Sequence, residues 1–228
     1  NRFKITSVGE TVLEKSHAIF SGIVSLEESL KGLDDEVSGK IEFACTHSFA
    51  LALLPRHLKE LRCLYPQLQV NFRLAHTDVI CDLIKKRSID FGIVLDNEDL
   101  SGFDSFEIYR GQYRLYVSSK VKEKDQKALS FITSEELMET NVLRKAYRQK
   151  FRRELPMLMQ VSSWEVIAKL TEAGLGIGFF PDYVAQQKKE LQEVDLKLAP
   201  IHYKVLAIFP RNTKRHRNHE AFLNLKFD

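Results

Sequence analysis

Strand, helix, strand, helix and strand follow one another between residues 39 and 95. That order constrains the fold more than any other feature of the sequence. Gly39-Lys40-Ile41-Glu42-Phe43-Ala44-Cys45 alternates as a strand. Thr46-His47-Ser48 come next, then an apolar helical stretch from Phe49 to Leu64. Pro55 falls in the first turn of the main helix, where its missing N–H costs little. Tyr65-Pro66 ends that helix. Leu68 to Ala75 alternates again, with Leu68, Val70, Phe72 and Leu74 on one side. Thr77-Asp78 can cap a second helix through Lys86 or Arg87, and Ile89 to Leu95 reads as a buried strand. Strands joined through helices run parallel, so this stretch predicts a pair of βαβ units.

A second α/β stretch follows. Strands are predicted at Tyr113 to Ser118, Asn141 to Leu143 and Met157 to Val161. Ser162-Ser163-Trp164-Glu165 has the S-x-x-E form of a helix start, and that helix runs to Ala173. Gly174-Leu175-Gly176-Ile177-Gly178-Phe179-Phe180-Pro181 is a turn and a buried strand. Late strands are predicted at Val194 to Ala199 and Val205 to Phe209, and a final amphipathic helix at Glu220 to Phe227. No Pro-, Gly- or Ser-rich linker separates the halves. They are expected to be joined by crossing strands, not by a tether.

Ahead of both lies a long helix. Ser7-Val8-Gly9-Glu10 matches a capping box. Val12, Ser16, Ile19, Ile23, Leu26, Leu30 and Leu33 are spaced alternately four and three, and six of the seven are apolar. A spacing averaging 3.5 holds a stripe on one face of a supercoiled helix. A helix packed on its own domain has a similar period. Length, terminal position and charge on the other faces favour dimerisation through Val12, Ile19, Ile23, Leu26 and Leu30. Gly32 and Asp34-Asp35 mark the helix end.

Charge narrows the function. The chain has 228 residues, and 34 Lys+Arg against 31 Asp+Glu give +3. That balance argues against a chain whose whole surface wraps nucleic acid. No apolar run approaches a membrane span, and Asn1-Arg2-Phe3-Lys4 is followed by no signal-peptide core. Asn1 is not an initiator methionine, so the chain is expected to be a fragment. Cys45, Cys63 and Cys81 are too few and too scattered for a secreted disulfide framework and read as buried, reduced thiols. His216 and His219 have i, i+3 spacing, but no ligand set completes a metal site, and no cofactor is expected. Gly174-x-Gly176-x-Gly178 ends a helix and leads into a strand, the reverse of a dinucleotide site, and reads as a helix C-cap. The run from Arg144 to Arg153 carries six basic residues and reads as a solvated, irregular surface stretch. No nucleophile elbow, P-loop or paired-carboxylate phrase points to catalysis, so the chain is not expected to be an enzyme.

The ordered phrases resemble those of the LysR-type transcriptional regulators. Phe3-Lys4-Ile5-Thr6-Ser7-Val8-Gly9 resembles the start of their linker helix. Gly39 to Phe43 resembles their first regulatory strand, and Leu54-Pro55 through Tyr65-Pro66-Gln67-Leu68 their next helix and strand. Ile89-Asp90-Phe91-Gly92-Ile93 and Ala173-Gly174-Leu175-Gly176-Ile177-Gly178-Phe179-Phe180-Pro181 resemble later strands of the family. The resemblance implies a two-subdomain α/β regulatory domain, like a type 2 periplasmic binding protein, preceded by a linker helix. The linker would be residues 1–38, subdomain I residues 39–112 with 205–228, and subdomain II residues 113–204. It implies a homodimer or homotetramer in the cytoplasm, with no membrane partner. DNA would be bound through an N-terminal winged helix-turn-helix not present in this chain.

Ligands of open α/β sheets lie beyond the carboxyl ends of strands, near helix N-termini that favour anions. Thr46-His47-Ser48 and Ser162-Ser163-Trp164 meet that condition. By resemblance, a small and anionic effector would lie in the cleft between subdomains. Thr46, Ser48 and Ser163 would donate to it, and His47, Trp164 and Phe179 would shape the cleft. His76, Thr77, Leu95, Asp96 and Arg144 are the further cleft positions. Asp96 keeps a neutral or cationic effector open. The competing readings are a transport-type solute-binding protein of the same fold and a small α/β enzyme.

Overall fold

The computed structural model describes residues 5–31, 37–122, 129–135, 138–186 and 188–227. It is a mixed α/β fold on one nine-stranded sheet. Strand β1 (Gly39–Cys45) pairs in parallel with β2 (Leu68–Leu74) and with β3 (Phe91–Leu95), as the alternating pattern requires. Helices α2 (His47–Ala52) and α3 (Leu54–Leu64) connect β1 to β2, and α4 (Thr77–Lys85) connects β2 to β3. Pro55 lies in the first turn of α3, where no backbone hydrogen bond is lost.

Strand β3 is buried on both faces, which a parallel strand covered by helices must be. Strand β2 is the edge. Of its expected face only Leu68 is buried, while Phe72 and Leu74 stay exposed. Phe43 stacks between Phe72 and Phe91, with ring centroids 5.5 and 5.1 Å away, so one aromatic row crosses three strands.

Two long antiparallel strands join the halves. Strand β4 (Phe103–Ser118) pairs with β9 (Ile201–Pro210) from Phe103 to Tyr113. From Tyr113 onward β4 pairs instead with β7 (Ile177–Pro181), and at Tyr116–Ser118 with β8 (Leu191–Glu193). Strand β9 continues on to β3. Strands β5 (Phe131–Thr133) and β6 (Met157–Gln160) complete the second half in parallel with each other. The halves are thus hydrogen-bonded through crossing strands.

Several sequence expectations are corrected. Asn141 to Leu143 is not a strand: it lies in α5 (Met138–Phe151), which also takes in most of the basic run. Leu143 and Tyr147 are buried i, i+4 neighbours on its inner face. Residues 194–199 form no strand, because the pairing with β4 falls at β8 just before them. The last helix, α8, is Arg217–Leu223. Beyond it, Phe227 folds back onto His57 and Phe49. Cys63 is exposed, whereas Cys45 and Cys81 are buried free thiols. Burial pushes the Cys45 thiol up to about 12, so at neutral pH it is inert.

Helix α1 (Ser7–Lys31) starts one residue earlier than the capping box placed it. Thr6 Oγ1 accepts from the Gly9 N–H at 3.2 Å, so Thr6 is the cap. Val12, Ile19 and Ile23 are all exposed. The side chains of Leu26 and Leu30, and residues 32–36, lie outside the described set. Among the described residues, no helix is long and apolar enough to cross a membrane.

Candidate functional site

Parallel strands bring their carboxyl ends to one edge, and the loops that leave β1, β2, β3, β5 and β6 meet around a cavity of about 450 Å³. Thr46, His47 and Ser48 come from the end of β1, and His76 and Thr77 from the end of β2. Leu95, Asn97 and Glu98 come from the end of β3, Ser134 and Glu135 from β5, and Ser162, Ser163 and Trp164 from β6. The cavity lies between the two halves because each supplies a parallel set of strands.

Eight of the expected effector residues line it: Thr46, His47, Ser48, His76, Thr77, Leu95, Ser163 and Trp164. Three do not. Asp96 Oδ1 accepts from the Lys204 N–H at 2.8 Å, and the Asp96 N–H donates to the Lys204 carbonyl, so its carboxylate pins β3 to β9. Arg144 sits on α5 and not in a loop at a strand end, and it is absent from the lining. Phe179 is 2% exposed inside β7. The Tyr113 ring links it to the cavity, lying 5.5 Å from Phe179 and 5.9 Å from Trp164.

The two serines hold different posts. Ser163 is the N-cap of α6 (Trp164–Glu172), accepting from the Val166 N–H at 3.4 Å. The cap is therefore one residue later than the S-x-x-E phrase placed it, and Glu165 is left to pair with Lys188 Nζ at 3.0 Å. Gly174, at φ +81°, closes the helix: its N–H bonds the Thr171 carbonyl and the Leu175 N–H bonds the Leu170 carbonyl. This is the expected C-cap, in Schellman form. The Ser48 hydroxyl is 2.9 Å from the Tyr183 hydroxyl in α7 (Asp182–Ala185), a buried hydrogen bond between residues 135 apart in sequence.

Polar atoms without partners collect around this cavity. Among the described residues, Thr46 Oγ1, Asn97 Oδ1, Tyr113 OH and Glu139 Oε2 are buried with no hydrogen-bond partner. Such atoms are uncommon, because each costs its desolvation without return. Glu139 is 0% exposed in the first turn of α5 and accepts from Ser134 Oγ at 3.0 Å. Burial raises its carboxyl above the usual range, against hydrogen bonds from its own backbone N–H, Ser134 and Asn97 that lower it. Burial also holds the Tyr113 phenol well above its ordinary range, with Glu139 adding to the effect.

Asn97, Glu98, Ser134, Glu135 and Glu139 escape the sequence reading. Asn97 and Glu98 sit in an Asp-Asn-Glu-Asp run that looks like any polar loop. Ser134 and Glu135 follow a three-residue strand too short to show alternation. The helix-start composition of Thr133-Ser134-Glu135-Glu136 is the one signal that marks them.

The model of the LysR substrate binding domain matches residues 34–225. The chain belongs to the LysR family. It is similar to the HTH-type transcriptional activator IlvY of Haemophilus influenzae, 22% identical over 191 residues that cover 79% of this chain and 65% of that protein. It is also similar to a probable RuBisCO transcriptional regulator of Phaeodactylum tricornutum, 24% identical, covering 86% of this chain and 68% of that one. The chain thus spans about two thirds the length of these relatives. Among solved structures, the cofactor-binding domain of the Cbl transcriptional regulator aligns with a TM-score of 0.66 at 20% identity, over 82% of this chain and 87% of that one. HinK, a LysR family regulator from Pseudomonas aeruginosa, aligns with a TM-score of 0.69 at 12% identity, over 97% and 81%. The fold is therefore the periplasmic-binding-protein-like fold of LysR regulatory domains. LysR proteins are transcriptional regulators and not enzymes.

Proposed function

We propose that this LysR chain is the linker and effector-sensing part of a DNA-binding transcriptional regulator. The cavity of about 450 Å³, with unpartnered buried polar atoms at its wall, carries this reading. A small polar effector would lie between subdomain I (residues 39–112 and 205–228) and subdomain II (residues 113–204). Its anionic group would face the N-termini of α4 and α6, where backbone N–H groups outside the helical ladder favour negative charge. Residues 1–38 would carry dimerisation in a homodimer or homotetramer. DNA would be bound in the cytoplasm through a winged helix-turn-helix that precedes residue 1.

Binding would act by favouring one relative orientation of the subdomains. That requires a ligand with differential affinity for two states; tight binding alone shifts nothing. Calorimetry with a panel of small organic acids tests the site. Ser163→Ala and His76→Ala are expected to weaken binding of any acid that titrates. If both leave its affinity unchanged, the effector site is elsewhere.

A further inference from the structure

The ionic character of the cavity wall points beyond a simple acid. Its charged side chains are Glu98 and Glu135, and among the described residues no Lys or Arg lines it. Glu98 follows β3 and Glu135 follows β5, so the two carboxylates come from opposite halves of the sheet and share one cavity. Neither forms an ion pair among the described residues. Glu165 and Glu193, by contrast, are paired with Lys188 and with Arg114.

Two of the four unpartnered atoms point the same way, whereas the Thr46 and Tyr113 hydroxyls can donate or accept. Asn97, next to Glu98, lines the cavity with Oδ1 unsatisfied, and Oδ1 can only accept. Behind the wall, Glu139 is completely buried with Oε2 unsatisfied, and its Oε1 accepts from Ser134, which lines the cavity. Asn97 Oδ1 and Glu139 Oε2 are thus oxygens without a donor. A purely anionic occupant would add repulsion to a wall that already holds two carboxylates. An ammonium group supplies three donors and a compensating charge.

We infer that the effector carries a protonated amine, seated between Glu98 and Glu135 with Asn97 as a third acceptor. This inference rests on the effector reading above and extends it: the ligand would be a small zwitterion, its amine at the carboxylates and its acid group at the helix N-termini.

The test is calorimetric titration of the purified chain at pH 7.5 with three sets of probes. The first is small and medium L-α-amino acids, the second the α-hydroxy acids of the same carbon skeletons, and the third the matching amines without a carboxylate. At least one amino acid is expected to bind ten times or more tightly than its hydroxy-acid counterpart. The double substitution Glu98→Gln and Glu135→Gln is expected to remove that preference. Both residues are exposed, so the unliganded melting temperature should not change. Glu193→Gln, which removes a carboxylate elsewhere, is expected to keep the preference. A hydroxy acid that binds as tightly as its amino acid overturns the amine and leaves the effector cavity standing. Amino-acid binding that survives the double substitution also overturns it, because the amine then sits elsewhere. If no probe from any set binds, the amine inference and the effector reading fall together.

Discussion

Ser48 lines the cavity, yet its hydroxyl is occupied by Tyr183, which is 1% exposed. Removing one partner of a buried hydrogen bond leaves the other unsatisfied, at about 1–3 kcal/mol. Ser48→Ala is expected to destabilise the chain by that amount in urea unfolding. Adding Tyr183→Phe should recover most of the loss, because no buried hydroxyl then remains. A second residue-scale consequence concerns His57, buried beneath Phe222 and stacked on Phe227 at 3.8 Å. Burial lowers its pKa to about 4, and the nearby Phe222 and Lys226 backbone offsets part of that without completing a hydrogen bond to either ring nitrogen. With a folded pKa below the unfolded value of about 6.5, the unfolded chain binds the extra proton. Stability is therefore lost as pH falls from about 6.5 towards 4, by on the order of 2 kcal/mol at pH 5. His57→Phe should flatten that limb of a stability-versus-pH curve; an unchanged slope would mean another group titrates there. Cavity-lining residues at clear strand ends, such as Thr46, His76 and Ser163, were legible in the sequence. The placement of Glu98, Glu135 and Glu139 was not, because it depends on what the two halves bring opposite each other.

At the scale of elements, legibility followed length and period. The first half has strands of seven, seven and five residues separated by periodic helices, and its parallel order was readable. The second half was not readable to the same degree, since β5 and β8 have three residues each and β6 four. Helix α5 was missed because the buried face begins with polar Glu139 and Thr140 before Leu143 and Tyr147. Element packing also makes Gly178 in β7 indispensable. A Cβ there would overlap Thr171 Oγ1 and the Phe180 ring. Thr171 is fixed by its own bond to the Ile167 carbonyl at 2.8 Å, so α6 must lift off the sheet. Gly178→Ala is expected to cost about 1–3 kcal/mol, as overpacking does. Because α6 begins at the cavity, the substitution should also weaken effector binding, whereas Gly102→Ala, which meets open space, should change neither.

At the scale of the whole molecule, the proposed regulator would need a route from the cavity to DNA, and α1 would provide it. At 25 residues it is about 37 Å long. Val12, Ile19 and Ile23 are 59%, 64% and 48% exposed, and Ile5, Val8, Leu13 and Phe20 are exposed beside them. An isolated amphipathic helix gains little from holding such a stripe in water, so the stripe argues for a second helix against it. The 3.5-residue spacing suits a copy of the same helix, since a two-fold contact presents the same seam from both sides. The stripe is wider than a two-helix seam requires, which is compatible with further contacts in a tetramer. Sedimentation of the chain against a version lacking residues 1–33 separates these possibilities. The intact chain is expected to sediment as a dimer or tetramer and the truncated one at a lower state. Ile19→Glu with Ile23→Glu should reproduce the truncation while keeping the melting temperature of the α/β part, because neither side chain is buried in it. An unchanged monomer in every case would remove the helix contact, and with it the path by which closure of the cavity would reach a DNA-binding head.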